Sequence, residues 1–253
     1  MSPAYAQRRE EPAGKDQPAS DDAAHPHQNE ATATQDVPPC GTFPARPVIS
    51  SQEVGKYREV LRQNPEDPVA HKRLGDGLYG QGEFEAATAK YLEALRWNRG
   101  YAEAHNGLGN TLMARSDVTG AINEYSTAIR LKPDYAEAHY NLGLALDDVR
   151  RHVPALAEYR EVVRLKPDDP LGRYFLGVSL FADRDRDAAI AELRKAVKLE
   201  PRWPLAHFTL GRMLQENGKL TEATDQFRDI WVLGPNFRTI LEECENLLRR
   251  TRR

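Results

Sequence analysis

Three sets of residues in this sequence have types and spacings that could do chemistry. Residues 75–80 read Gly75-Asp76-Gly77-Leu78-Tyr79-Gly80, the literal glycine spacing of a dinucleotide phosphate loop. Such a loop must follow a strand and open a helix, so that backbone amides and a helix N-terminus face the pyrophosphate. His71, His105, His139 and His207 share one register and look like a ladder of metal ligands. Asp147-Asp148 and the run Asp183-Arg184-Asp185-Arg186-Asp187 offer carboxylates. No nucleophile with an adjacent base and a third orienting residue accompanies them.

The elements that must carry these residues exclude most of that chemistry. A leucine-glycine pair returns every 34 residues, at Leu74-Gly75, Leu108-Gly109, Leu142-Gly143, Leu176-Gly177 and Leu210-Gly211. Alanines keep the same step at Ala87, Ala121, Ala155, Ala189 and Ala223, and bulky residues at Tyr91, Tyr125, Tyr159, Leu193 and Phe227. A terminal column reads Arg99, Pro133, Pro167, Pro201 and Pro235. An exact period of this length marks one supersecondary unit copied five times. In the unit 102–135, His105, Leu108, Gly109 and Leu112 form the apolar stripe of one helix, and Ala121, Tyr125 and Ala128 form that of a second. Ser116-Asp117 favours a turn and a helix start between them, and Pro133 stops the second helix. Gly109 and Ala121 are expected where the two helices approach, with the Tyr125 column filling the gap toward the next unit.

The glycine string therefore falls inside a helix, where it cannot cradle a nucleotide. The histidines fall on successive stacked helices ~8–10 Å apart, too far to share an ion whose nitrogen ligands sit at ~2.0–2.1 Å. They are read as half-buried packing residues with a hydrogen-bonding edge. No cofactor, metal or catalytic residue is predicted, and the chain is not expected to be an enzyme.

This pattern resembles the tetratricopeptide repeat (TPR) family over residues 68–237. The resemblance implies an all-α fold, an α-α superhelix of five helix-turn-helix repeats. Arg99 departs from the terminal proline, Leu193 from the aromatic, and no unit has the tryptophan often found early in the first helix. Residues 49–67 read as a half-repeat capping helix, with Ser50 and Glu53 placed for a capping box and Ile49 and Val54 for a hydrophobic staple. Residues 238–253 read as a C-terminal capping helix with Ile240, Leu241, Cys244, Leu247 and Leu248 on one face.

Residues 1–48 hold eight of the seventeen prolines and only Tyr5 and Phe43 as aromatics, a composition that predicts disorder. The net charge of −3 resides in this segment, leaving a balanced body without the basic stripe nucleic acid calls for. The terminal Arg249, Arg250, Arg252 and Arg253 read as a solvated helix end. No apolar run reaches membrane-spanning length, and two cysteines imply no disulfide framework. A cytoplasmic location is the default expectation. Ala4-Tyr5-Ala6 before Gln7 would instead indicate a secreted or periplasmic protein if it ends a truncated signal peptide.

In the TPR family a second stripe on the first helix lines a groove that holds peptides. Here the residues expected to form a protein-binding groove are Lys72, Asn106, Asn110, Tyr140, Asn141, Leu144, Tyr174, Phe175, Val178, Phe208 and Arg212. The first two units present polar groups there and the last three present aromatic and aliphatic ones, and the aromatics are expected to face away from the packing stripe. The clamp for C-terminal carboxylates of chaperone-associated members is not reproduced: Asn110 and Asn141 match, but Asn106, Leu171 and Phe175 stand at its basic places. The sequence thus predicts a non-catalytic scaffold for a protein or peptide partner. The alternative is an assembly component that self-associates or joins a larger complex.

Overall fold

The computed structural model describes residues 49–232, together with 239 and 242. Among the described residues there are eleven helices and no strand. Helix α1 (Ser51–Gln63) precedes five pairs: α2 (Pro68–Gly80) and α3 (Phe84–Trp97), α4 (Ala102–Ala114) and α5 (Val118–Leu131), α6 (Ala136–Asp148) and α7 (His152–Leu165), α8 (Pro170–Ala182) and α9 (Arg186–Leu199), and α10 (Pro204–Glu216) and α11 (Leu220–Val232). Each helix packs on its neighbours in sequence, and α4 also touches the first helices α2 and α6. The expected C-terminal capping helix and the proline-rich segment 1–48 lie outside the described residues, apart from Thr239 and Glu242.

Local chemistry sets the boundaries. Ser50 and Glu53 form the reciprocal capping box of α1, and Ile49 packs with Val54 beside Gly77. Asp67 and Asp169 cap α2 and α8, each followed by a proline at the first helical position, where the missing amide costs nothing. Asp117 and Asp185 cap α5 and α9. The turn between the paired helices always contains one residue in the left-handed region: Gly82, Ser116, Arg150, Arg184 and Gly218. Glycine adopts it freely, whereas Ser116, Arg150 and Arg184 hold it at a cost of ~1–2 kcal/mol each.

The periodic columns interlock within each pair. A Cβ added to Gly75, Gly109, Gly143, Gly177 or Gly211 would come within 2.5–2.9 Å of Tyr91, Tyr125, Tyr159, Leu193 or Phe227 of the same unit. The bulky column therefore packs on its own unit's glycine as well as reaching toward the next: Tyr91 also abuts Gly107, and the Tyr159 ring stacks on Phe175 at 5.7 Å. The alanine column is fully enclosed from Ala87 to Ala189. One apolar core runs from the second unit to the fifth, and a smaller one joins α1 to the first.

The histidine column ties unit to unit. Nε2 of His105 and of His139 lies 3.1 and 3.0 Å from the carbonyls of Arg99 and Pro133, closing the preceding loop. Nδ1 of each lies 2.6 and 2.7 Å from the carboxylates of Glu124 and Glu158 on the second helix. Both ring nitrogens thus face acceptors, an arrangement that only the doubly protonated ring satisfies. Arg173 takes the same place in the fourth unit, reaching the Pro167 carbonyl and Glu192 at 2.7 and 2.5 Å. His207 pairs with the Pro201 carbonyl and Gln226. His71 holds only the Pro65 carbonyl, and its buried Nδ1 has no partner among the described residues, because Lys90 stands where the others have an acceptor.

Candidate functional site

The first helices α2, α4, α6 and α8 share a wall that borders a cavity of about 860 Å³. Lys72, Asn110 and Tyr140, three of the expected groove residues, line it. So do Arg73, Glu137 and Leu171 of the same helices, the loop residues Asp168 and Asp169, and Ile49 ahead of α1. Lys72 is committed to Asp76 at 2.8 Å, while the Arg73 guanidinium stands 3.8 Å from the same carboxylate with its side chain 51% exposed. The walls carry both charge signs and an aromatic edge.

Four expected groove residues are not open to a ligand. Tyr174 is 4% exposed and Phe208 6%, and Asn106 and Asn141 are equally buried. The cause is a contact between neighbouring first helices. The fifth residue of one unit meets the sixth of the next, 35 positions on. Asn141 Nδ2 donates to Asn106 Oδ1 at 2.8 Å, the Tyr140 and Phe175 rings meet edge-on at 5.3 Å, and the Tyr174 hydroxyl lies 3.1 Å from Thr209 Oγ1. Tyr174 also packs on Trp203 at 4.7 Å between ring centroids, and burial pushes its hydroxyl up to about 12. Phe208 rests against Phe227. The expectation that these aromatics face away from the packing surface is therefore corrected: at this spacing the stripe is itself an inter-repeat contact.

Asn110, at the ninth position, has a structural partner as well. Its Oδ1 accepts from the Tyr125 hydroxyl at 2.8 Å and from Asn141 Nδ2 at 3.1 Å. Tyr91 makes the equivalent bond to Asp76. In the third unit Leu144 occupies that place, and the Tyr159 hydroxyl turns to Asp147 instead, at 2.9 Å. Asp147 also receives His152, so this carboxylate is bound up in the fold. Burial first, then the adjacent carboxylates, holds the Tyr91 and Tyr159 hydroxyls far above the usual phenol range. Leu144, Phe175 and Val178 are half-buried against the large core, and Arg212 pairs with Glu216 at 3.6 Å; none of the four borders the cavity.

The fold and its wall define an all-helical repeat solenoid whose first helices present one continuous face. Models of the TPR repeat match residues 75–114 and 109–147, and models of the tetratricopeptide repeat match 136–169 and 174–236. The chain belongs to the tetratricopeptide repeat family, a family of protein–protein interaction scaffolds that are generally non-catalytic. No curated protein matches the sequence. Among solved structures it is similar to YrrB, a TPR protein with an unusual peptide-binding site, at 21% identity and a TM-score of 0.62 over 75% of this chain and 97% of that one. MamA from Desulfovibrio magneticus RS-1 is similar at 22% identity and a TM-score of 0.59, over 73% and 97%. Cut9, from the APC/C hetero-tetramer Cut9–Hcn1, is similar at 19% identity and 0.62, over 76% of this chain and 39% of that one. Among the described residues, no helix is long and apolar enough to cross a membrane.

Proposed function

We propose that the protein is a non-catalytic scaffold that binds a peptide of a partner protein in the cavity along its first helices. The reading is carried by the cavity's lining, where the exposed Arg73 guanidinium, the Tyr140 ring and Leu171 converge on one open volume. Arginine and tyrosine anchors are the side chains on which interface energy concentrates. Glu137 and Asp169 on the same lining favour a peptide that also carries a cation. The test is selection from a peptide library displayed on phage, with the full chain as bait. Selected peptides should lose ~1–3 kcal/mol of affinity on Arg73→Glu or Tyr140→Ala and nothing on Arg160→Glu, which is exposed on α7. Equal binding by all three variants would place the peptide elsewhere.

One observation favours the assembly reading as a second use of the same scaffold. Trp97, Leu131 and Leu199 end their second helices one repeat step apart or a multiple of it, and all three are exposed. Such a stripe is a candidate self-association surface. Light scattering on the full chain decides it: a mass above the monomer that falls on Leu131→Glu supports assembly, and a monomer at all concentrations rejects it.

A further inference from the structure

We propose that the chain's own segment Val37–Val48 occupies the cavity in cis and competes with the partner peptide. The inference rests on the reading of the cavity as a peptide site. Three observations carry it. Ile49, the first described residue, lines the cavity and packs on α2 beside Gly77, so the preceding residues join the fold at the cavity's edge. The segment has the length to cross it. Twelve residues containing Pro38, Pro39, Pro44 and Pro47 favour the extended polyproline conformation, which at ~3.1 Å per residue spans about 37 Å. Three steps between four stacked first helices cover only about 24–30 Å at ~8–10 Å each.

The third observation is composition. The segment carries a single charge, Arg46, and apolar groups at Val37, Phe43 and Val48. On the cavity's Leu171 side, Asp168 faces a cation with Asp169 and Glu137 beside it, which also accept from the Leu171 amide and Asn106, and Tyr140 and Leu171 face apolar side chains. A prolyl segment loses little further backbone freedom on binding, which suits it to a groove without sheet edges. Tethered directly to the rim, it acts at an effective concentration in the millimolar range, so even weak intrinsic affinity suffices to fill the site.

The segment provides its own probe, because Cys40 lies within it and Cys244 is the sole other cysteine. In the full chain with Cys244→Ser, a second thiol is placed in the cavity by Leu171→Cys or, separately, by Arg73→Cys. A control places it on α7 by Val153→Cys, where the native side chain is 73% exposed. Under mild oxidation, intramolecular disulfides to Cys40 should form at least about tenfold faster at both cavity positions than at the control, as expected for a millimolar local concentration. In parallel, a labelled synthetic peptide of residues 37–48 should bind a Phe43→Asp, Arg46→Glu chain about tenfold more tightly than the wild-type chain, whose site is already filled. Equal cross-linking at all positions, or links formed only between molecules, would overturn the inference. The groove reading would still stand if library peptides bind and respond to Arg73→Glu. If library peptides fail as well, both readings fall.

Discussion

The two halves of the first-helix wall solve the same packing problem with opposite chemistry. In α4 and α6 the facing residues are Asn106 and Asn141, joined to each other and, through Asn110, to the Tyr125 hydroxyl. In α8 and α10 the corresponding pair is Tyr174 and Thr209, backed by Trp203. Both halves are closed to solvent at this level, one by amide hydrogen bonds and the other by aromatic packing. The comparison shows that polarity along the stripe says little about access. What stays open is the flank bordered by Arg73, Glu137 and Leu171.

The aromatic half should be the more sensitive to truncation. Tyr174→Ala removes a buried ring and leaves a void against Trp203, a change that costs ~3–5 kcal/mol. A denaturant titration showing less than about 1 kcal/mol would mean that Tyr174 is accessible after all, as the sequence pattern alone suggests. Gly143→Leu follows. Its Cβ would come 2.6 Å from Tyr159 Cε1, and such overpacking costs ~1–3 kcal/mol. Because a repeat array is held by nearest neighbours, the melt should also broaden as the two ends uncouple.

In the polar half, Asn141→Ala should cost ~1–2 kcal/mol in the same titration, since it strips the buried Asn106 Oδ1 of a donor and leaves Asn110 Oδ1 with the Tyr125 hydroxyl. A pH effect separates the third unit from the fourth. His105 is raised above 6.5 chiefly by the Glu124 bond, against burial. At His139 burial opposes the charge, but the Glu158 bond and the Pro133 carbonyl outweigh it. A raised folded value means that both histidines contribute fully below about 6.5 and that the contribution is lost as pH rises through the folded value. Thermal stability should therefore fall across that window. His139→Arg, which copies the permanently charged Arg173 of the next unit, should flatten the dependence. Smallest of all, Arg150→Gly should stabilise the third unit by up to ~1 kcal/mol, through relief of its left-handed turn offset by added unfolded-state entropy. An unchanged melting temperature would show that those two terms cancel.

Much of the fold was written in the periodic columns. The Leu-Gly, alanine and bulky columns identified the pairs, Pro133, Pro167 and Pro201 follow the ends of α5, α7 and α9, and the Ser50 and Asp117 caps began α1 and α5 where expected. The in-helix glycine string also had its structural explanation in reach, since Gly75 belongs to the column that Tyr91 packs against. The left-handed turn column was half legible, visible at Gly82 and Gly218 and disguised by Ser116, Arg150 and Arg184. The spacing of Ile49, Asp168 and Asp169 carries no sign of the side of the stack they face, so their place on the cavity could not be read.

The repeat length, the helices and the faces on which each helix packs within its pair could be read from the residues in order, because these depend on spacing along one or two turns of chain. Which residues of the second stripe are open emerges only when the helices are stacked. That depends on how closely neighbouring first helices approach, and the approach is set by side chains 35 positions apart that fit each other: Asn106 with Asn141, Tyr140 with Phe175, Tyr174 with Thr209. A helical wheel drawn for one helix places all of these residues on a free surface. The next helix in the stack covers Asn106, Asn141, Tyr174 and Thr209 and half covers Phe175, while Tyr140 keeps an edge on the cavity.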